Sequence, residues 1–318
     1  MASLSSHASL AKYFKDWAAF KLQFPQKYMH GVQNENVTGD YLVYSKNSMD
    51  CYDSMQLWDC RYFTRAFGPT QDAMDCDECG DGVSRFYECA FSGYNEQNLR
   101  FTLSTFSEAH DLDYCFYSHY SQNCFGCGGL RHQKYCILNK QYSKEEYEAL
   151  VPKIIEHMKK TREWGEFPPV KYSDFAYNET IAQEYYPLTR DEVLEKGWQW
   201  REKDQKEYQP ASTDKSILKA LFACEAPLSG GESCGRNYKI IDQEWRFYKE
   251  RGIAIPRKCF PCRHKARFDM RNPRRLYDRK CHAYRQAGMK CGVEIKTTYA
   301  PDRPEIVYCE KCYVESLV

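Results

Sequence analysis

Eight of the chain's 17 cysteines fall into a pattern that occurs twice. Nine residues separate Cys224 from Cys234, and Cys259-x2-Cys262 follows; nine residues separate Cys281 from Cys291, and Cys309-x2-Cys312 follows. A glycine stands directly after the second cysteine of each set, Gly235 and Gly292, where it lets the backbone turn its amides toward thiolates. Four soft thiolates at the corners of a tetrahedron are the coordination zinc prefers, so the spacing predicts two structural Zn2+ sites. The ligand sets are Cys224/Cys234/Cys259/Cys262 and Cys281/Cys291/Cys309/Cys312, with His264 and His282 near enough to substitute. Four protein thiolates close the coordination shell and leave no position for a catalytic water, so the expected role of the metal is to hold small modules together.

A second chemistry-bearing pattern overlaps the first. Between Arg257 and Lys280 there are ten Lys and Arg residues, opposed only by Asp269 and Asp278, with Phe260, Phe268 and Tyr277 interleaved. Guanidinium forks bind phosphate oxygens and aromatic rings stack on unpaired bases. Arg263, Lys265, Arg267, Arg271, Arg274, Arg275 and Arg279 are therefore candidate contacts to RNA or DNA. The same arginines could instead pair with acidic groups of their own chain or of a protein partner, or simply form a solvated face. The formal net charge of +1 conceals an asymmetry: residues 214–318 carry 22 Lys and Arg against 13 Asp and Glu, the remainder 23 against 31. A basic part beside an acidic one suggests an anionic partner for the former. The chain contains no His-Glu-x-x-His, no Walker-type glycine loop and no Gly-x-Ser-x-Gly, so no enzyme class is indicated. An enzyme acting on polysaccharide through repeat carboxylates such as Asp50, Asp59, Asp75 or Glu88 is the less favoured alternative.

The elements that must position these groups differ along the chain. Residues 8–24 read as a helix, with Leu10, Tyr13, Phe14, Trp17, Phe20, Leu22 and Phe24 on one apolar face expected to pack on the next domain. From 32 to 142 a short motif recurs, an acidic or amide residue followed by cysteine: Asp50-Cys51, Asp59-Cys60, Asp75-Cys76, Glu88-Cys89 and Asn123-Cys124, with Tyr114-Cys115 and Tyr135-Cys136 as variants. Short segments that alternate apolar and polar residues between polar turns read as stacked strands, hence a right-handed β-helix-like solenoid. Two motifs per turn predict coils of roughly 20–25 residues, with cysteines stacked as ladders inside, where a small, weakly polar side chain fits. Cys76-x2-Cys79 and Cys124-x2-Cys127 are open to a second reading as a third metal site. Ser143-x-x-Glu146 and Thr189-x-x-Glu192 are capping boxes that open helices, the first passing through Pro152 and the second ending at Gly197. Trp164–Tyr185 reads as an extended connector, Arg201–Asp214 as a linker, and Gln243–Glu250 as a helix between Asp242 and Gly252.

Five stretches carry a resemblance. They are Tyr-Cys-Ile-Leu-Asn-Lys-Gln-Tyr from Tyr135, Leu-Val-Pro-Lys-Ile-Ile-Glu-His-Met from Leu150, Tyr-Tyr-Pro-Leu-Thr from Tyr185, Arg-Lys-Cys-Phe-Pro-Cys-Arg-His-Lys from Arg257, and Tyr299 through Tyr313. On these the chain resembles a family of zinc-ribbon proteins known mainly from metagenomic bacterial genomes, especially small-genome lineages. Members usually carry a close Cys-x2-Cys-Gly at the first knuckle, from which Cys224-x9-Cys234 departs. The resemblance implies architecture and metal; no settled activity comes with it.

Together these observations predict a mainly β protein: an N-terminal capping helix over 1–31, a solenoid over 32–142, a helical connector over 143–213 and tandem four-cysteine zinc ribbons over 214–318. The function they point to is a non-catalytic zinc-binding protein whose basic head binds nucleic acid or a nucleoprotein, or alternatively a module for protein interaction or self-assembly through the solenoid surface. No run approaches the roughly 20 apolar residues of a membrane span. The opening residues show no apolar signal core, so a reducing cytoplasm, where paired thiols bind metal, is the expected location.

Overall fold

A computed structural model describes residues 6–202, 218–227, 234, 236–284 and 288–317. The expected linker Arg201–Asp214 lies almost wholly outside the described residues, as does Gly235. The chain divides into two compact units: residues 26–172 with 274–318, and residues 1–25 with 173–273. The described helices are α1 His7–Lys21, α2 Lys144–Thr161, α3 Ala182–Tyr185, α4 Arg190–Glu195, α5 Asp242–Arg251, α6 Phe260–Phe268 and α7 Glu310–Glu315.

The first unit is built on a β-solenoid of about 8 turns, its strands paired in parallel from one coil to the next. The coils are half as long as expected. Glu35 lies opposite Lys46, Lys46 opposite Trp58, Leu57 opposite Thr70, and Thr70 opposite Val83, so one coil takes 11 residues at the start and 12 or 13 thereafter. The reason lies in the backbone. From Tyr41 to Arg65 every third residue has a positive φ, between 50° and 60°. The residue after each of these is buried: Leu42, Ser45, Ser48, Cys51, Ser54, Leu57, Cys60, Phe63 and Ala66. The repeating unit is thus a triplet consisting of a left-handed residue, an inward side chain and an outward one, and four triplets close a coil. The period is three, where the sequence suggested an alternation of two. Asn and Asp tolerate the left-handed region best among non-glycine residues, which explains the recurrent acidic or amide residue before each cysteine.

A lumen this narrow admits small side chains whose donors satisfy themselves. Each inward thiol donates to the carbonyl two residues earlier: Cys51 to Met49 at 3.3 Å, Cys60 to Trp58 at 3.2 Å, Cys76 to Met74 at 3.2 Å and Cys89 to Tyr87 at 3.3 Å. Ser54 does the same to Tyr52 at 2.7 Å. Phe63, Phe86, Leu99 and Leu112 fill the rest. All nine solenoid cysteines belong to this one core, so the ladder reading describes Cys76, Cys79, Cys124 and Cys127. Burial pushes the Cys51 thiol up to about 12 and Cys60 to about 11, as expected of inert packing thiols. At the start of the solenoid Gly39, with φ +137°, faces the Cys51 carbonyl so closely that a Cβ would sit 1.7 Å from its oxygen. The register slips between Val37 and Gly39 at this point, and only glycine fits.

The capping box of α2 is formed in full, Ser143 N donating to Glu146 at 3.0 Å and Glu146 N to Ser143 Oγ at 3.2 Å. The helix runs through Pro152, and Leu150, Val151, Ile154, Ile155 and Met158 pack on Phe101, Tyr114, Phe125 and Ile137, outward residues of the later coils. Tyr114 fastens the next segment by donating to the Glu163 carbonyl (3.2 Å) and accepting from Gly165 N (3.1 Å).

In the second unit, Thr189 and Glu192 form the other capping box, and Gly197 adopts a positive φ just past α4. The sequence predicts an extended connector over Trp164–Tyr185, but short helical turns occupy Val170–Tyr172 at the end of the first unit and Tyr177–Glu179 and Ala182–Tyr185 in the second. No residue of α1 is buried, and Tyr13, Phe14, Trp17 and Phe20 are exposed.

Candidate metal centres and basic surface

Both four-cysteine sets converge. In each, the four sulfur atoms lie within 4.8 Å of one another. A tetrahedral ion bonded to sulfur at about 2.3 Å requires sulfur–sulfur edges of about 3.8 Å, and Cys234 and Cys259 stand 3.9 Å apart. That is far too long for a disulfide of about 2.05 Å. The donor set and its spacing therefore fit a metal ion.

The local architecture is the same in both copies. Strands Phe222–Ala223 and Asn237–Tyr238 pair antiparallel, as do Tyr277–Lys280 and Glu294–Thr297. Cys234 N donates to Ala226 O, and Cys291 N to Ala283 O, both at 2.8 Å. Cys224 N donates to Arg236 O and Cys281 N to Val293 O. These matched bonds close the long loop and bring its two cysteines together, which is how a nine-residue gap does the work of a tight knuckle. The remaining pair sits on the first turn of a helix: Cys259 caps α6 and Cys309 caps α7, with Cys262 and Cys312 three residues on. Helix N-termini favour negative charge. The Cys259 amide donates to Cys224 Sγ at 3.2 Å and the Cys309 amide to Cys281 Sγ at 3.3 Å. Burial pushes the Cys224 thiol up, but the amides of Cys259 and Ala226 and the neighbouring thiols outweigh it and bring Cys224 down to about 7. Burial raises Cys281.

The two histidines weighed as ligands are engaged elsewhere. His264 Nε2 meets Glu184 at 3.1 Å, and His282 Nδ1 accepts from Val307 N at 3.2 Å. The family scan and the search of curated proteins find no match to this chain. The fold and the two clusters stand on their own geometry.

The copies differ in what surrounds them. The Cys224 cluster packs with Ala226 and Tyr238 of its own module. The Cys281 cluster packs with Tyr28, which leads into the solenoid. There Gln26–Lys27 pairs in parallel with Val307–Tyr308. Asp40, buried in the first coil, accepts from Thr298 Oγ1 at 2.6 Å, from His30 N at 2.7 Å and from Tyr41 N at 3.1 Å. The second metal module is thus the cap of the solenoid. A cavity of about 480 Å³ lies beside it, lined in part by Met29, Val37, Ile295 and Lys296; Lys296 is paired with Asp278 at 3.3 Å.

The seven cations singled out from the sequence have separate fates. Arg274 points into the solenoid unit with its side chain only 8% exposed, bonded to Asp53 at 2.9 and 3.0 Å and 3.7 Å from Asp77. Arg279 donates to the carbonyls of Ala300 and Glu305 at 3.1 and 3.2 Å. Arg263 reaches Tyr248 Oη at 3.2 Å and Glu244 at 3.4 Å. Lys265 is exposed but bonded to Asp269, Arg275 lies over Tyr277, and Arg271 lies over Phe268. Arg267 is exposed, as is Lys258. Internal pairing therefore claims Arg263, Arg274 and Arg279. Arg274→Ala is expected to lower stability by about 2 kcal/mol, by removing the two guanidinium hydrogen bonds to Asp53 from a largely buried site. Urea denaturation followed by circular dichroism measures this, and an unchanged midpoint would show that the pair contributes nothing.

Proposed function

We propose that the protein is a non-catalytic zinc-binding scaffold whose Cys224 module, carrying α5 and α6, binds nucleic acid or a nucleoprotein. Zinc is the metal we assign to both clusters, because four buried or half-buried cysteine sulfurs within 4.8 Å of one another suit its tetrahedral all-thiolate coordination best, and a closed shell would make it structural. The observation that carries the nucleic-acid reading is the charge left exposed around that cluster. Residues 218–273 hold 12 Lys and Arg against 6 Asp and Glu, so even after four thiolates and one divalent ion the module keeps an excess of about four positive charges. Arg257, Lys258, Lys265, Arg267 and Arg271 are exposed there, Lys265 bonded to Asp269 and Arg257 3.8 Å from Glu225. A reducing cytoplasm suits this reading, since the described cysteines are all free thiols. Among the described residues no helix is long and apolar enough to cross a membrane.

The test is fluorescence anisotropy with labelled oligonucleotides across a salt series. Affinity is expected to fall steeply with salt, the logarithmic slope being roughly 0.7–0.9 per phosphate contacted. Lys258→Glu with Arg267→Glu is expected to lower both affinity and slope. Absence of binding at low salt would remove the reading. A second reading, interaction with a protein partner or self-assembly, draws on the aromatic side chains exposed along the coils, among them Tyr44, Phe67, Tyr94 and Tyr117. It predicts a concentration-dependent increase in mass in sedimentation.

A further inference from the structure

Three aromatic side chains stand one helical turn apart on α6. Phe260 and His264 have ring centroids 6.2 Å apart with planes 21° from parallel, and His264 and Phe268 are again 6.2 Å apart at 37°. The guanidinium of Arg271 continues the row, 5.7 Å from the Phe268 ring. The far end is anchored, because Phe268 meets Tyr185 edge-on at 5.0 Å, and Glu184 fixes His264 from the same segment. The near end is open: Phe260 is 64% exposed. The exposed ring stands between exposed cations, Arg257 and Lys258 before it and Arg267 after it, with Arg257 3.8 Å from Glu225.

We propose that this row is a stacking platform for single-stranded nucleic acid, with Phe260 contributing the base-stacking face and the flanking cations holding the phosphates. The inference rests on the nucleic-acid reading above and narrows it. A duplex keeps its bases stacked on one another and offers an exposed ring nothing but backbone; a single strand offers π-faces of every sequence. The platform accordingly selects strandedness and not sequence. The charge on the module supplies affinity to both forms, and the ring supplies the difference between them.

Anisotropy of the metal-loaded protein with a labelled oligothymidylate and with a labelled duplex of equal length separates the two. Wild type is expected to prefer the single strand. Phe260→Leu, which keeps apolar bulk without a π-face, is expected to lose about tenfold for the single strand while duplex affinity is unchanged, and Phe260→Trp to retain the preference. Because Phe260 adjoins Cys259, zinc content is measured for each variant. Where Phe260→Leu sheds metal, comparison of Phe260→Trp with wild type carries the test, since a larger ring must hold or strengthen single-strand binding. Equal binding of both forms, indifferent to these substitutions, overturns the platform and leaves the charge-based reading standing. No binding of either form at low salt overturns both.

Discussion

Cys281→Ser is expected to cut the metal content from two ions per chain to one and to destabilise the solenoid that the module caps. The whole Cys281 module depends on its cluster: the pairing of Tyr277–Lys280 with Glu294–Thr297 and the start of α7 converge on those four sulfurs, and its apolar core is a handful of residues that includes the ligands themselves. For modules of this size metal binding is folding free energy, on the order of 10 kcal/mol. The loss reaches the solenoid because Val307–Tyr308 pairs with Gln26–Lys27 and Thr298 satisfies the buried Asp40, groups that a melted module would abandon at the first coil. Cys259→Ser is expected to lose one ion as well, but its cluster belongs to the other compact unit and, among the described residues, packs with Ala226 and Tyr238 of its own module, so the solenoid transition is expected to stay where it was. Elemental analysis gives the ion count, and chemical denaturation followed by far-ultraviolet circular dichroism gives the transition. Equal effects of the two substitutions on the solenoid would contradict the assignment of the Cys281 module as its cap.

The second large effect concerns Glu96, an inward side chain at full burial whose two carboxyl oxygens make no well-formed hydrogen bond in the lumen, the polar groups nearest to them being Thr105 and the backbone of Gly93 and Ala109. Burial pushes its pKa from an ordinary 4.5 up to about 9. Below pH 4.5 both folded and unfolded chains carry the proton and the group is neutral in its effect. Between 4.5 and 9 the unfolded chain releases it while the folded chain retains it, so stability declines as pH rises, by roughly 1.4 kcal/mol per pH unit, and levels off above 9. At pH 7 the deficit relative to a residue that does not titrate is roughly 3 kcal/mol. Glu96→Gln removes the titration and nearly preserves the volume. The difference in unfolding free energy between variant and wild type is therefore expected to widen in favour of the variant from pH 6 toward pH 9, as followed by urea denaturation. A difference independent of pH would mean that the carboxyl is ionised or solvated in the folded chain.

Local chemistry was legible in the sequence. The two four-cysteine groups that could hold a metal ion follow from spacing alone, because a tetrahedral ion demands four sulfurs and the chain supplies them twice in the same order. Capping boxes are equally local: Ser143 with Glu146 and Thr189 with Glu192 need only three residues of helix to find one another. The existence of the solenoid was readable from the recurrent residue before cysteine. Its coil length was not, because a period of three falls between the templates for strand and helix and arises from left-handed residues such as Asp50, Gln56 and Tyr62, whose backbone angle leaves little trace in hydrophobic pattern.

Tertiary structure decided the rest. Ten cations in one run look equivalent along the chain, yet Arg274 is drawn into an ion pair with Asp53, 221 residues away, while Arg267 stays exposed. Nothing local distinguishes them, since the distinguishing charge lies on a different element. The two metal modules look like repeats with one role, and the same bonds build both. One becomes the lid of the solenoid because Thr298 and Val307 lie where Asp40 and Gln26 need partners. Spacing fixed what each module can bind, because ligation is a matter of a few neighbouring atoms; which surface each module presents depended on what the remainder of the chain brought against it.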